Sequence, residues 1–165
     1  MRIGRPLAVT MLALAACAAP QPAHESPEAV LDALHAAAAR ADGPAYFALF
    51  AQDAVFIGTD ATERWDVPAF RAYADPFFAR GQGWTYVPLE RHVMLDEGGR
   101  IAWFDERLAN EKYGETRGSG VLVREGDAWL VAHYVLSFPV PNDLAPELVE
   151  RIRAARQDGN LQDLR

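Results

Sequence analysis

Asp105 and Glu106 stand side by side in the segment Ala102-Trp103-Phe104-Asp105-Glu106-Arg107-Leu108. Successive side chains of a strand point to opposite faces, so one of the two carboxylates enters a covered interior and the other meets solvent. A carboxylate beside a tryptophan in a covered sheet has its pKa raised by desolvation unless a cation offsets it, which suits a general acid or base near neutral pH. Trp103 shares a face with Asp105, and Phe104 shares the other with Glu106. The tryptophan favours Asp105 as the inward group, with Glu106 close behind; a cross-strand ion pair with Arg107 or Arg117 is the purely structural alternative.

His133 is the second group that could move a proton. Counted back from a two-residue turn at Gly126-Asp127, it falls opposite Gly120, where a missing side chain leaves room beside the ring. A turn one residue longer would set Val121 there instead. The catalytic candidates are therefore Asp105 and His133, with a satisfied structural histidine as the other reading of the latter. Arg117, in Arg117-Gly118-Ser119-Gly120, could clamp a carboxylate ligand or pair with Asp105 or Glu106. Those glycines are not a phosphate loop, since no lysine follows at the required spacing and no helix begins there.

The ligand-binding candidates are Glu63, Trp65, Trp84, Trp103, Glu106, Arg117 and Tyr134. Tryptophans fill cores, and they also wall pockets for flat apolar ligands. Glu63-Arg64-Trp65 belongs to a polar loop that could cover a cavity mouth or form a local salt-bridged turn. No His or Cys lies near another at metal-ligand spacing, and no Ser/His/Asp or Cys/His nucleophile set can be assembled, so neither metal nor cofactor is implied.

The elements that must position these groups follow from punctuation and period. Ser26-Pro27 starts a helix running to about Ala41, with Val30, Leu31, Leu34 and Ala38 on one stripe and His35 beside it. Asp42-Gly43-Pro44 stops it and opens a short second helix. Ala54 to Gly58 is a strand. Asp66 caps a third helix through Val67 to Arg80, which Pro76 should kink or split near Asp75. From Trp84 the period changes to that of strands: one to Leu95, bent at Pro88, a turn at Glu97-Gly98-Gly99-Arg100, and one from Ile101 to Ala109. A long hairpin from Glu115 to Phe138 then turns about Gly126-Asp127. Asp143 opens an amphipathic tail helix with Leu144, Leu148, Val149 and Ile152 turned inward. The fold class is α+β: N-terminal helices covering a strongly curved antiparallel sheet to make a cone.

The chain has 165 residues, half of them apolar, with a formal charge of -7 and four scattered histidines. That is one domain plus a leader, and the acidic balance argues against nucleic acid as a partner. Arg2 and Arg5 precede an apolar run from Leu7 to Ala16, the pattern of a signal peptide and too short to span a membrane. Leu14-Ala15-Ala16-Cys17 resembles the bacterial lipobox, with Cys17, the chain's one cysteine, as the lipidated residue. The expected division is signal peptide 1–16, lipidated tether 17–26, globular domain 27–142 and helical tail 143–165. The expected location is the cell envelope, periplasmic and lipid-anchored, with the outer membrane favoured. Secretion is expected if Cys17 is not lipidated.

Asp53-Ala54-Val55-Phe56-Ile57-Gly58 with Glu63 and Trp65, Arg117-Gly118-Ser119-Gly120-Val121-Leu122-Val123, and Trp129 to Ser137 resemble a SnoaL-like domain of the nuclear transport factor two superfamily. The likeness spans roughly Pro27 to Pro141. Many relatives carry His-x-His before the serine of the last strand, whereas Val135 follows His133 here. The resemblance implies a cone-shaped pocket, but relatives include isomerases, cyclases, dehydratases, binding proteins and structural assembly domains, so it carries no single activity. The expected function is an envelope lipoprotein binding a small, mostly apolar molecule. An acid-base enzyme of isomerase, cyclase or hydratase type is the alternative, and a structural dimerisation module the third reading. A homodimer is the expected assembly.

Overall fold

The computed structural model describes residues 26–159. The expectations for the signal peptide, for Cys17 and for most of the tether fall outside the described residues.

Helix α1 spans Pro27–Ala39, and the Ser26 side chain accepts the Ala29 N–H at 3.2 Å, the N-cap that the sequence promised. Its end is marked by Ala41 in the left-handed region (φ 56), where glycine is the usual occupant. Asp42 then caps α2, Gly43–Phe47. Strand β1 is Phe50–Ile57, and β2, Arg64–Asp66, is a short edge strand inside the segment expected to be a loop. Asp66 caps α3, Val67–Phe78. Pro76 lies within α3 without dividing it, because the turn is carried on by the Ala79 N–H donating to the Asp75 carbonyl.

The remaining strands are β3 (Val87–Leu95), β4 (Ile101–Asn110), β5 (Gly114–Glu125) and β6 (Ala128–Ser137). They form one curved, unclosed sheet in the order β2-β1-β6-β5-β4-β3. Every pairing is antiparallel except β1 with β6, which is parallel, so the sheet is mixed rather than wholly antiparallel. A register shift between Pro88 and Glu90 gives the break that proline forces on β3.

The strict alternation of β4 sets the two faces. Ala102, Phe104, Glu106 and Leu108 are buried against the helices, while Ile101, Trp103, Asp105 and Arg107 are exposed. The core beneath the helices joins Val30, Leu31 and Leu34 of α1 to Leu108, Leu122 and Val131 of the sheet. Each such aliphatic side chain, fully withdrawn from water, contributes roughly 1.5–3 kcal/mol.

The hairpin turn is the two-residue one expected, with Glu125 opposite Ala128 and Gly126 at φ 61. Farther along, however, Val121 pairs with His133 and Leu122 with Val131, so Ala132 is the extra residue of a β-bulge. Buried positions accordingly switch from Trp129 and Val131 to Tyr134 and Leu136. Helix α4 (Ala145–Gln157) has no buried residue: Leu144, Leu148 and Val149 stay exposed instead of turning inward.

Candidate functional site

The inner face of the sheet holds one carboxylate, and it is Glu106, at 1% exposure. The preference for Asp105 is corrected by the register: Phe104, not Trp103, is the buried aromatic of β4, and Glu106 shares its face. Glu106 lies opposite Arg91 on β3 and Gly118 on β5. One carboxylate oxygen accepts from His35 Nε2 at 2.8 Å and from the Tyr134 hydroxyl at 2.9 Å; the other accepts from Arg91 Nε at 2.8 Å. Arg91 reaches on to Asp32 at 2.7 Å and to the Glu28 carbonyl at 3.4 Å. Helix α1 is thereby tied to the sheet through His35 and Asp32 around one buried anion.

Burial works to raise the Glu106 pKa, but the hydrogen bond and charge of His35, followed by those of Arg91, outweigh it, and the carboxyl is held below its ordinary value. Burial first, and then Glu106 itself, push the Tyr134 phenol well above its ordinary value, so it stays a neutral donor. Gly118 makes the cluster possible. A Cβ there would collide with the Tyr134 hydroxyl and with Glu106 Oε1.

On the helical side of this cluster lies an open cavity of about 290 Å³, near the lower end of the ~300–1,000 Å³ usual for small-molecule sites. Its walls are mainly aromatic. Nearly parallel rings gather beside the cluster. Tyr134 stacks on Phe56 (5.5 Å between centroids), Phe56 on Phe70 (4.0 Å), Phe70 on Trp65 (5.5 Å) and Trp65 on Tyr73 (4.9 Å). Trp84, Tyr86 and Tyr113 line it as well. A niche of about 20 Å³ shares Phe56, Trp84, Tyr86 and Leu136 with the cavity and is bordered by His35 and Tyr134. Burial first, and then Tyr113 and Glu63, push the Tyr86 phenol up to about 12.

Glu63 is the one carboxylate that lines the cavity. Its Oε2 accepts the Asp60 N–H at 3.1 Å, while the Gly58 N–H donates to the Glu63 carbonyl at 2.9 Å. A side chain at Gly58 would occupy the place of the Glu63 carboxylate.

Of the residues singled out from sequence, Glu63, Trp65 and Trp84 therefore line the cavity, while Tyr134 borders the adjoining niche and donates its hydroxyl to Glu106. Asp105, His133, Trp103 and Arg117 do not join them. They lie on the opposite sheet face, where Trp103 is next to Val121 and Arg117 is next to Arg107. Asp105 faces His92 at 3.5 Å. His133 sits between Val121 and Val55 because the Ala132 bulge moved it off the inner face, and its Nε2 is buried without a hydrogen-bond partner among the described residues. Arg91, His35, Phe56, Phe70, Tyr73, Tyr86 and Tyr113 were missed. Arg91 was within reach of sequence reasoning, since counting back from the 97–100 turn sets it opposite Glu106.

A profile of the SnoaL-like domain matches residues 28–141. The chain belongs to the SnoaL-like domain family. Solved structures with the same fold include a protein of unknown function from Mycobacterium tuberculosis, 20% identical over 79% of this chain and 86% of that one, with a TM-score of 0.55. A protein from Novosphingobium aromaticivorans, provisionally titled an aromatic ring hydroxylase, is 18% identical over 69% and 87% of the two chains (TM-score 0.56). One from Shewanella frigidimarina, provisionally titled a ketosteroid isomerase, is 18% identical over 66% and 91% (TM-score 0.53). At these identities the likeness is one of fold. No curated protein matches the chain. The SnoaL-like domain thus supplies the fold in which this site is set.

Proposed function

We propose that this protein is a cell-envelope lipoprotein whose SnoaL-like domain binds a small, mostly apolar molecule in the aromatic cavity without turning it over. One observation carries the reading: the fully buried carboxylate of the sheet's inner face is already charge-paired and hydrogen-bonded. Glu106 is engaged by Arg91, His35 and Tyr134, held ionised, and does not line the cavity. An anion so well stabilised is a poor base near neutral pH. The cavity walls offer stacking surface instead.

Native mass spectrometry of the processed protein tests this. A small molecule should co-purify with the wild type and be lost in Trp65→Ala. Bare protein in both cases, together with no response of the tryptophan fluorescence to neutral aromatic probes, overturns it. The same spectra read the lipid on Cys17, which should vanish with membrane association in Cys17→Ser.

A second reading has one observation in its favour. His35 borders the niche and is oriented by Glu106, as a base is by its carboxylate partner. On that reading the site performs an isomerisation, cyclisation or hydration. Turnover of a bound molecule, lost in His35→Gln while binding persists, would favour it.

The outer sheet face supports a homodimer. Met94, Trp103, Val121 and Val55 flank His133 in a cross-strand row, and Ile101 is 45% exposed beside them. A patch of this kind is what subunit contacts cover.

A further inference from the structure

We propose that the cavity selects molecules bearing a positive charge, an arylalkyl ammonium or a comparable amine, with Glu63 as counter-ion and the ring faces as cage. This rests on the binding role proposed above and gives it a ligand class.

The cavity contains no lysine, arginine or histidine, and Glu63 makes no salt bridge among the described residues. It is half-buried and fixed in place: Asp60 holds one carboxylate oxygen, and the other has no protein donor among the described residues. Withdrawing a carboxylate towards an aromatic wall is unfavourable without a cation nearby, and a cationic ligand supplies one. Tyr86, with its pKa pushed up to about 12, remains a neutral phenol and offers no competing charge. The lining rings of Tyr73 and Trp84 attract a cation through their quadrupoles, tryptophan most strongly. An anionic ligand would meet Glu63 head-on, and a neutral one would leave it unpaired.

Two cations stand against rings of the lining: Arg80, 5.2 Å from the Phe77 ring centre, and Lys112, 4.6 Å from that of Tyr113. Both are exposed and stand outside the cavity wall, where water and salt screen them. They show that rings of this rim already accept cations.

Three soluble probes of matched shape decide the matter: 2-phenylethylammonium, 2-phenylethanol and 3-phenylpropanoate. Binding to the full protein is followed by calorimetry and tryptophan fluorescence. The ammonium should bind about tenfold more tightly than the alcohol, the advantage should shrink with added salt, and Glu63→Gln should bring the ratio close to one. Thermal unfolding of that variant confirms that it is folded. Equal affinity for ammonium and alcohol in the wild type, or a preference for the carboxylate through Arg80 and Lys112, overturns the cation class while leaving a binding cavity. Failure of all three probes removes the binding role itself.

Discussion

Replacing Glu106 with glutamine strips the charge from the buried cluster while keeping its shape. The amide retains one acceptor oxygen but presents N–H₂ to a donor, either the Arg91 guanidinium or the His35–Tyr134 pair. The Arg91 side chain is only 12% exposed, and its one remaining counter-ion, Asp32, is 70% exposed. Removing one partner of a buried ion pair costs about 3–5 kcal/mol. Survival of Asp32 and of one acceptor sets the expected loss near the lower end, about 3 kcal/mol, or roughly 10 °C in Tm for a domain of this size. Urea unfolding followed by circular dichroism measures it. The loss also carries a pH signature. The folded Glu106 pKa lies below its unfolded value, which is about 4.3. The wild type's advantage is therefore fully present above that value and fades as pH falls through the folded one. Glutamine does not titrate, so the two stability curves should converge in acid. A gap below about 0.5 kcal/mol at neutral pH, or one undiminished at about pH 3, would refute the account.

Gly118→Ala should cost about 1–3 kcal/mol by the same assay, because its methyl group intrudes on Glu106 and Tyr134. Ala41→Gly should instead stabilise by about 0.5–1 kcal/mol, since φ 56 strains alanine and not glycine. Trp103→Arg should shift a dimer to monomer in sedimentation velocity while changing the unfolding free energy of the monomer by less than about 0.5 kcal/mol, as Trp103 is 44% exposed on the outer face.

Caps, turns and strand periods were legible in the sequence because they depend on neighbours along the chain. Ser26, Asp42 and Asp66 all cap as read, and the turn at Gly126 has the expected length. What misled was local company. Trp103 looked like a core residue and drew Asp105 inward with it, but this sheet has a second apolar face, and Trp103 belongs there. The tail helix erred similarly: its stripe is genuine, yet no surface of the described residues buries it. His35 lies 71 residues from the carboxylate that it bonds, a distance over which periodicity carries no information. The cavity walls are likewise assembled from β1, β2, α3, the segment before β3, the β4–β5 turn and β6, so each ring reads as core when taken alone.

The Ala132 bulge carries an implication for how such a pocket could be rebuilt. Upstream of it β6 presents odd-numbered side chains to the helices, and downstream it presents even-numbered ones. Ironing out the bulge with Ala132 kept in the ladder would shift the last half of the strand by one position, setting an imidazole opposite Gly120 and expelling the phenol to the far side, whereas deleting Ala132 would leave both side chains on their present faces. The chemical character of this interior is thus set by where the ladder takes up its extra residue as much as by its composition.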